Sequence, residues 1–253
     1  MNLDEFGHFL RARRNRLAPQ TASASQLVSR RVPGLRREEV AVAAAISTDY
    51  YTKLEQGRAS APSPQVLDAL ALVLQWSASE RKYADLLLAT RLPAGAQQPP
   101  DVALHRLVLA HRAGPAYLLD HRLNFIAVND IAVEWFFRAH PISPGDTNLV
   151  RWIFATEAAR KTFRHWRRRA DQTVATLRLC MARRPSDPYF AALVTELFSV
   201  PAFARLWTLH NVRAVDSAPE QIYLPSGELT TQHYVTFPVP SDAITQITLY
   251  WGD

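Results

Sequence analysis

Along the first ninety positions apolar residues recur at intervals of three and four, the spacing of helices with one buried face. Leu3, Phe6, Leu10 and Leu17 line the first such face, with Asp4 and Glu5 at its start and arginines towards its end, which suits the helix dipole. A second helix is predicted from near Arg36 through Val40 and Ala43. A third runs through Tyr50, Tyr51 and Leu54, with Ser47 as its N-cap and Gly57 as its stop. Ser63-Pro64 opens a fourth through Val66, Leu67, Leu70 and Leu74, and the capping box Ser77-Ala78-Ser79-Glu80 opens a fifth through Tyr83, Leu86 and Leu87. The front of the chain thus predicts an all-α unit of five helices.

Residues 91–101, RLPAGAQQPPD, are rich in Pro, Gly and Gln and contribute almost nothing to a core, so the predicted division is 1–92, a linker at 93–101, and 102–253. Beyond it the period changes. AYLLD (116–120) and FIAVN (125–129) read as a hairpin across His121-Arg122-Leu123-Asn124. A helical segment follows through Ile131, Val133, Trp135 and Phe136, and helical spacing resumes from Leu149 to about His210, broken at Pro185-Ser186-Asp187-Pro188 and at Pro201. The last forty residues alternate as strands: Leu229, Thr231, His233, Val235 and Phe237 share one face, and Ile247, Leu249 and Trp251 share another. Strands, helices, then strands is the order of an α+β domain with helices on one face of an antiparallel sheet. The expected fold class is therefore mixed, all-α at the front and α+β behind.

Composition bounds the class. The chain has 253 residues, 48% apolar and 21% charged, which fits one large or two modest globular domains. Its single cysteine, Cys180, can form no intrachain disulfide, and no run is apolar enough for a signal peptide or a membrane span. A cytoplasmic protein without membrane insertion is expected.

The net charge of +6 and a pI near 9.8 favour an anionic partner. The excess sits at the front, where residues 1–37 hold eight arginines (Arg11, Arg13, Arg14, Arg16, Arg30, Arg31, Arg36 and Arg37) against Asp4 and Glu5. Within that basic setting, the short helix, the turn Ala44-Ala45-Ile46 and the capped third helix form a helix-turn-helix. Its second helix would enter the ~12 Å major groove of double-stranded DNA and present Ser47, Thr48, Asp49, Tyr50 and Lys53 to base edges. Arg36, Arg37, Arg58 and the arginines of the first helix would meet phosphates.

Leu35 to Ala41 (LRREEVA), Ser47 to Arg58 (SxDYYxxLEQGR) and the string PSxxVLxALA beginning at Pro62 resemble the lambda-repressor/Cro-type helix-turn-helix of the bacterial xenobiotic-response-element family. The chain departs from that pattern at the turn, where Ala45 stands in place of the usual Gly. The second half resembles the ligand-binding domain of MmyB-like transcription regulators. The similarity runs through AYLLDHRLNFIAVND, NLVRWIF, the Phe203–Trp207 segment with His210 and Val212, and GELTTQHYVTFPV. This resemblance implies a PAS-like domain that senses a small apolar ligand, with a fatty acid as one candidate.

Trp135, Phe136, Trp152, Phe154, Phe163, Trp166, Phe203 and Trp207 supply enough aromatic surface for a pocket, or equally for a filled core. Arg151 and His210 are candidate partners for an acidic head group, with Tyr117, Tyr234 and His233 behind them. The run Arg164-His165-Trp166-Arg167-Arg168-Arg169 reads as a solvated helix face, or else as an added phosphate contact. Gly-rich phosphate loops, HExxH, paired CxxC and GxSxG motifs are all missing, so neither an enzyme nor a resident cofactor or metal is expected. The reading is a transcription regulator, expected to act as a homodimer because half-sites one turn apart need paired recognition helices. Its rival is a DNA-binding protein whose second domain only dimerises or docks a protein.

Overall fold

The computed structural model describes residues 1–17, 34–89, 102–138, 147–212, 219–239 and 242–252. The chain forms two compact units, Met1–Pro93 and Ala94–Asp253.

In the first unit α1 (Leu3–Arg16) starts on the side chain of Asn2, which accepts from the Glu5 amide at 3.2 Å. It buries Phe6, Phe9 and Leu10, whereas Leu17, expected on the same face, is the half-buried residue that ends the helix. Next come α2 (Arg37–Ala43) and α3 (Thr48–Glu55), the latter capped by Ser47, whose hydroxyl accepts from the Tyr50 amide at 3.1 Å. Between them Ala45 takes φ +54°, so the turn does require the left-handed conformation that glycine adopts without cost. The Ser63 and Ser77 caps open α4 (Pro64–Val73) and α5 (Ala78–Leu88) as the sequence predicts. Phe9 packs against Trp76 and Tyr83 at ring separations of 5.1 and 5.5 Å, joining α1 to the α4–α5 pair. At Gly7, α1 passes so close to the end of α3 that a Cβ would stand 2.5 Å from the Glu55 carbonyl oxygen.

The second unit is a five-stranded antiparallel sheet in the order β2-β1-β5-β4-β3, with β1 (Ala116–Leu119), β2 (Phe125–Val128), β3 (Glu220–Tyr223), β4 (Leu229–Val239) and β5 (Asp242–Gly252). The predicted hairpin forms. Leu118 pairs with Ala127 but Leu119 with Phe125, so Ile126 is an extra residue that bulges β2 and turns Phe125 towards the opposite side from Ala127. After β2 come α7 (Asp130–Ala132), a π-helical turn (Val133–Phe137), α8 (Leu149–Ala155), α9 (Glu157–Thr162), α10 (Trp166–Arg183), α11 (Pro188–Leu197) and α12 (Pro201–Thr208).

One feature differs from the expected one-sided packing. The helices from α7 to α12 share a core with Tyr117, Leu119, Phe125, Tyr234 and Tyr250 on the inner face of the sheet. Helix α6 (Val102–Ala110), which precedes β1, instead packs Val108 and Leu104 against Ala116, Leu118, Ala127 and Ile247 on the outer face. Both faces of β1 are therefore buried, which explains its unbroken apolar run. On β4 the apolar alternation marks this outer face, where Phe237 is 45% exposed; the buried face carries Gln232 and Tyr234.

Candidate nucleic-acid interface and ligand cavity

The third helix buries Tyr51, Leu54 and Glu55 and leaves Ser47, Asp49 and Lys53 exposed, with Thr48 and Tyr50 half-buried. The polar edge is thus on the surface of its unit, as entry into a groove demands. Lys53 Nζ reaches Asp49 Oδ2 at 2.7 Å, one turn back on the same face. Arg36 and Arg58 are exposed beside this helix, free in geometry to approach phosphates.

The other predicted phosphate contacts need correction. Arg37 Nε donates to Glu55 Oε2 at 2.7 Å, and its side chain is only 36% exposed. Arg14 Nε donates to Glu55 Oε1 at 2.5 Å, and Arg13 is buried against Glu80. These arginines hold helices together. A carboxylate beneath the surface needs cationic partners to offset its lost hydration, and the sequence supplies them from α1 and α2. Burial opposes the charged form of Glu55, but the hydrogen bonds from Arg14 and Arg37 prevail and keep its pKa below the usual value. Arg11 and Arg16 are exposed, and Arg16 also approaches Glu80 at 3.7 Å; Arg30 and Arg31 lie outside the described residues.

In the second unit the predicted aromatic set does come together, but chiefly ring on ring. Phe136, Trp152 and Phe163 form a triangle with centroids 5.7 to 6.1 Å apart. Phe154 meets Phe203 at 5.2 Å and Trp166 at 5.9 Å, and Phe203 stacks on Trp207. Trp135 is half-buried against the same core. The two candidate head-group residues are both placed elsewhere than at a cavity. Arg151 spans Glu196 and the Tyr189 hydroxyl, at 2.7 and 3.0 Å, and these partners raise its pKa. His210 is half-buried just beyond α12 with φ +50°. His233 stacks on Trp251 on the outer sheet face.

A cavity of about 30 Å3 lies between the inner sheet face and α10, room for about two water molecules. Tyr117 and Tyr234, ranked last by sequence, line it with Thr236 and Thr248 on the sheet side. Arg169, Gln172, Thr173 and Thr176 form the helix side, and Leu119 and Leu149 are its apolar residues. Arg169, read from the sequence with its basic neighbours as a solvated face or a phosphate contact, instead points inward. It is 7% exposed; its Nη2 donates to the Tyr117 hydroxyl at 2.6 Å, and its Nη1 reaches Glu220 Oε2 at 3.4 Å. Among the described residues its Nε has no hydrogen-bond partner. Burial works against the guanidinium charge, but the phenols of Tyr117 and Tyr250 and the Glu220 carboxylate hold its pKa well above the usual value. The signal was available, because Arg169 lies four residues before Thr173 and eight before Leu177, on the stripe that α10 buries.

A capped helix-turn-helix with a polar leading edge, followed by an α+β domain with a lined cavity, defines a DNA-binding transcription regulator with a ligand-binding domain. Residues 5–84 match a family described as a helix-turn-helix domain, and residues 101–251 match the MmyB-like transcription regulator ligand binding domain. The chain belongs to the MmyB-like transcription regulators. No curated protein matches it. Among the described residues no helix is long and apolar enough to cross a membrane.

Proposed function

We propose that this regulator acts in the cytoplasm as a homodimer, with two recognition helices on half-sites about one helical turn apart. An acidic small molecule bound by its second domain changes its affinity for operator DNA. The strand order β2-β1-β5-β4-β3 with helices over the inner face supports the PAS-like reading of that domain. The observation that carries the ligand reading is the Arg169 Nε, a buried donor without an acceptor on the wall of the inner cavity. A carboxylate there would satisfy it and add charge pairing, while Leu119 and Leu149 offer a short apolar surface to the carbon chain. A fatty acid fits this chemistry at its head; its tail requires the packed rings to part, because the cavity of about 30 Å3 holds no chain.

Coupling follows by linkage. A ligand that binds one arrangement of the protein better than another shifts the population towards it, and DNA and ligand change each other's affinity by the same factor. The test is mass spectrometry of the denatured extract, with thermal melting of the protein in octanoate and dodecanoate. A co-purified acid, or a melting rise that Arg169→Gln abolishes and Arg169→Lys partly retains, supports the reading. An empty extract and no rise with either acid refute it.

A second reading has its own support. The ring packing just described and the exposed Tyr223, Phe237 and Trp251 on the outer sheet face favour a domain that only pairs or docks. That version expects loss of the dimer on Phe237→Glu and no response to any acid.

A further inference from the structure

The cationic surface around the start of α10 has no part in the helix-turn-helix or the cavity. Arg160 and Lys161 at the end of α9, Arg164 and His165 in the connection, and Arg167 and Arg168 in the first turn of α10 are all exposed. Lys161 is matched by Glu157 at 3.2 Å, and the Arg160 guanidinium lies 3.9 Å above the Trp166 ring. Arg164, Arg167 and Arg168 make no ion pair with any acidic side chain among the described residues, although the backbone around them is fixed. The Arg164 amide donates to the Gln221 carbonyl at 3.1 Å and the Arg168 amide to the His165 carbonyl at 2.9 Å, so the charges are displayed on an ordered frame. Arg169, the next residue, turns inward and is no part of this surface.

Three exposed guanidiniums within five residues of chain repel one another, and the positive end of α10 adds to the repulsion. Helices α1, α3 and α5 place acids at the same point. The arrangement is relieved when anions cover it, and planar guanidiniums suit phosphate oxygens with paired donors. The chain already holds double-stranded DNA through its other unit, which makes a second stretch of the same polyanion the ligand that the charge fits.

We propose that Arg164, Arg167 and Arg168 form an additional, sequence-independent DNA contact, by which the ligand-binding domain itself grips the phosphate backbone. Non-specific binding rests on phosphate neutralisation, so no operator is needed to test this. The affinity of the full chain for a mixed-sequence duplex of roughly 40 base pairs is measured by fluorescence anisotropy across NaCl concentrations. With Arg164→Gln, Arg167→Gln and Arg168→Gln combined, the log–log salt slope per chain is expected to fall by about 2.7. Between about 50 and 200 mM salt the variant then loses about 40-fold less affinity than the parent. The triple Lys version is expected to keep the parent slope, which separates charge from folding. An unchanged slope in the Gln version overturns the proposal, whether or not the same surface then binds anionic vesicles or an acidic protein. Combined Arg36→Gln, Lys53→Gln and Arg58→Gln tests the helix-turn-helix independently: if only this set changes the slope, the helix-turn-helix reading stands and the second contact falls.

Discussion

Glu55, at the end of the recognition helix, lies within the N-terminal unit with a side chain 1% exposed, and Arg14 from the first helix donates to it at 2.5 Å. Arg37 from the second helix donates to its other oxygen at 2.7 Å, so one carboxylate ties three helices together. Replacing Glu55 by Ala leaves two cations without their carboxylate and is expected to cost about 3–5 kcal/mol. Chemical denaturation monitored by circular dichroism would show it as a loss of the N-terminal transition midpoint. A shift no larger than that of a surface substitution would refute the tie.

The same carboxylate sets an acid limit. Its folded pKa is depressed below the usual 4.5, so its contribution is complete above that pH and is lost as pH falls through the folded value. Stability of the N-terminal unit is therefore expected to decline below about pH 4.5, with a shallower decline in Glu55→Gln. Melting curves between neutral and strongly acid pH give the comparison. Equal slopes for parent and variant would contradict it.

Ala45 occupies the left-handed region at φ +54° and is exposed, so Ala45→Gly relieves strain without opening a cavity. The expected gain is about 1 kcal/mol, less the extra freedom that glycine gives the unfolded chain. DNA affinity should not change, because the helix that follows keeps its cap from Ser47. Thermal melting and anisotropy on one preparation measure both.

Asp49 holds Lys53 at 2.7 Å on the exposed edge proposed to meet DNA, where its negative charge would oppose phosphates. Asp49→Asn is expected to tighten non-specific DNA binding severalfold and to steepen its salt dependence by about one unit, as Lys53 becomes available. Weaker binding at every salt concentration would show instead that Asp49 accepts a hydrogen bond from DNA.

Arg169 and Glu220 are both buried and joined at 3.4 Å, with the Tyr250 hydroxyl donating to the same oxygen at 3.2 Å. Arg169→Met alone strands the carboxylate and is expected to cost about 3–5 kcal/mol, whereas Arg169→Met with Glu220→Gln recovers much of that loss. A double-mutant cycle on the C-terminal transition reads the coupling.

The pattern of caps and periods made the helices of the first unit legible, because Ser47, Ser63 and Ser77 act within four residues of themselves. The exposed polar edge of α3 followed, since burial of Tyr51 and Leu54 leaves Ser47, Asp49 and Lys53 outward. What sequence did not reveal depends on distant partners. Arg14 and Arg37 read as phosphate contacts because Glu55 lies 41 and 18 residues away. In the second unit, the strand alternation on β4 pointed to the outer face, while the cavity lies behind the polar residues between the apolar ones. The aromatic residues were found as a group, but their hydrophobicity could not separate a lining from a filling.

Gly7 carries no charge and no side chain, yet it sets how closely the third helix approaches the first. Any side chain there would press on the Glu55 backbone and push that end of α3 outward, tilting the exposed edge proposed to enter a groove. A single methyl group at a site remote from DNA could therefore leave a folded protein that binds poorly, and screens for operator contacts would mistake this spacer for a recognition residue.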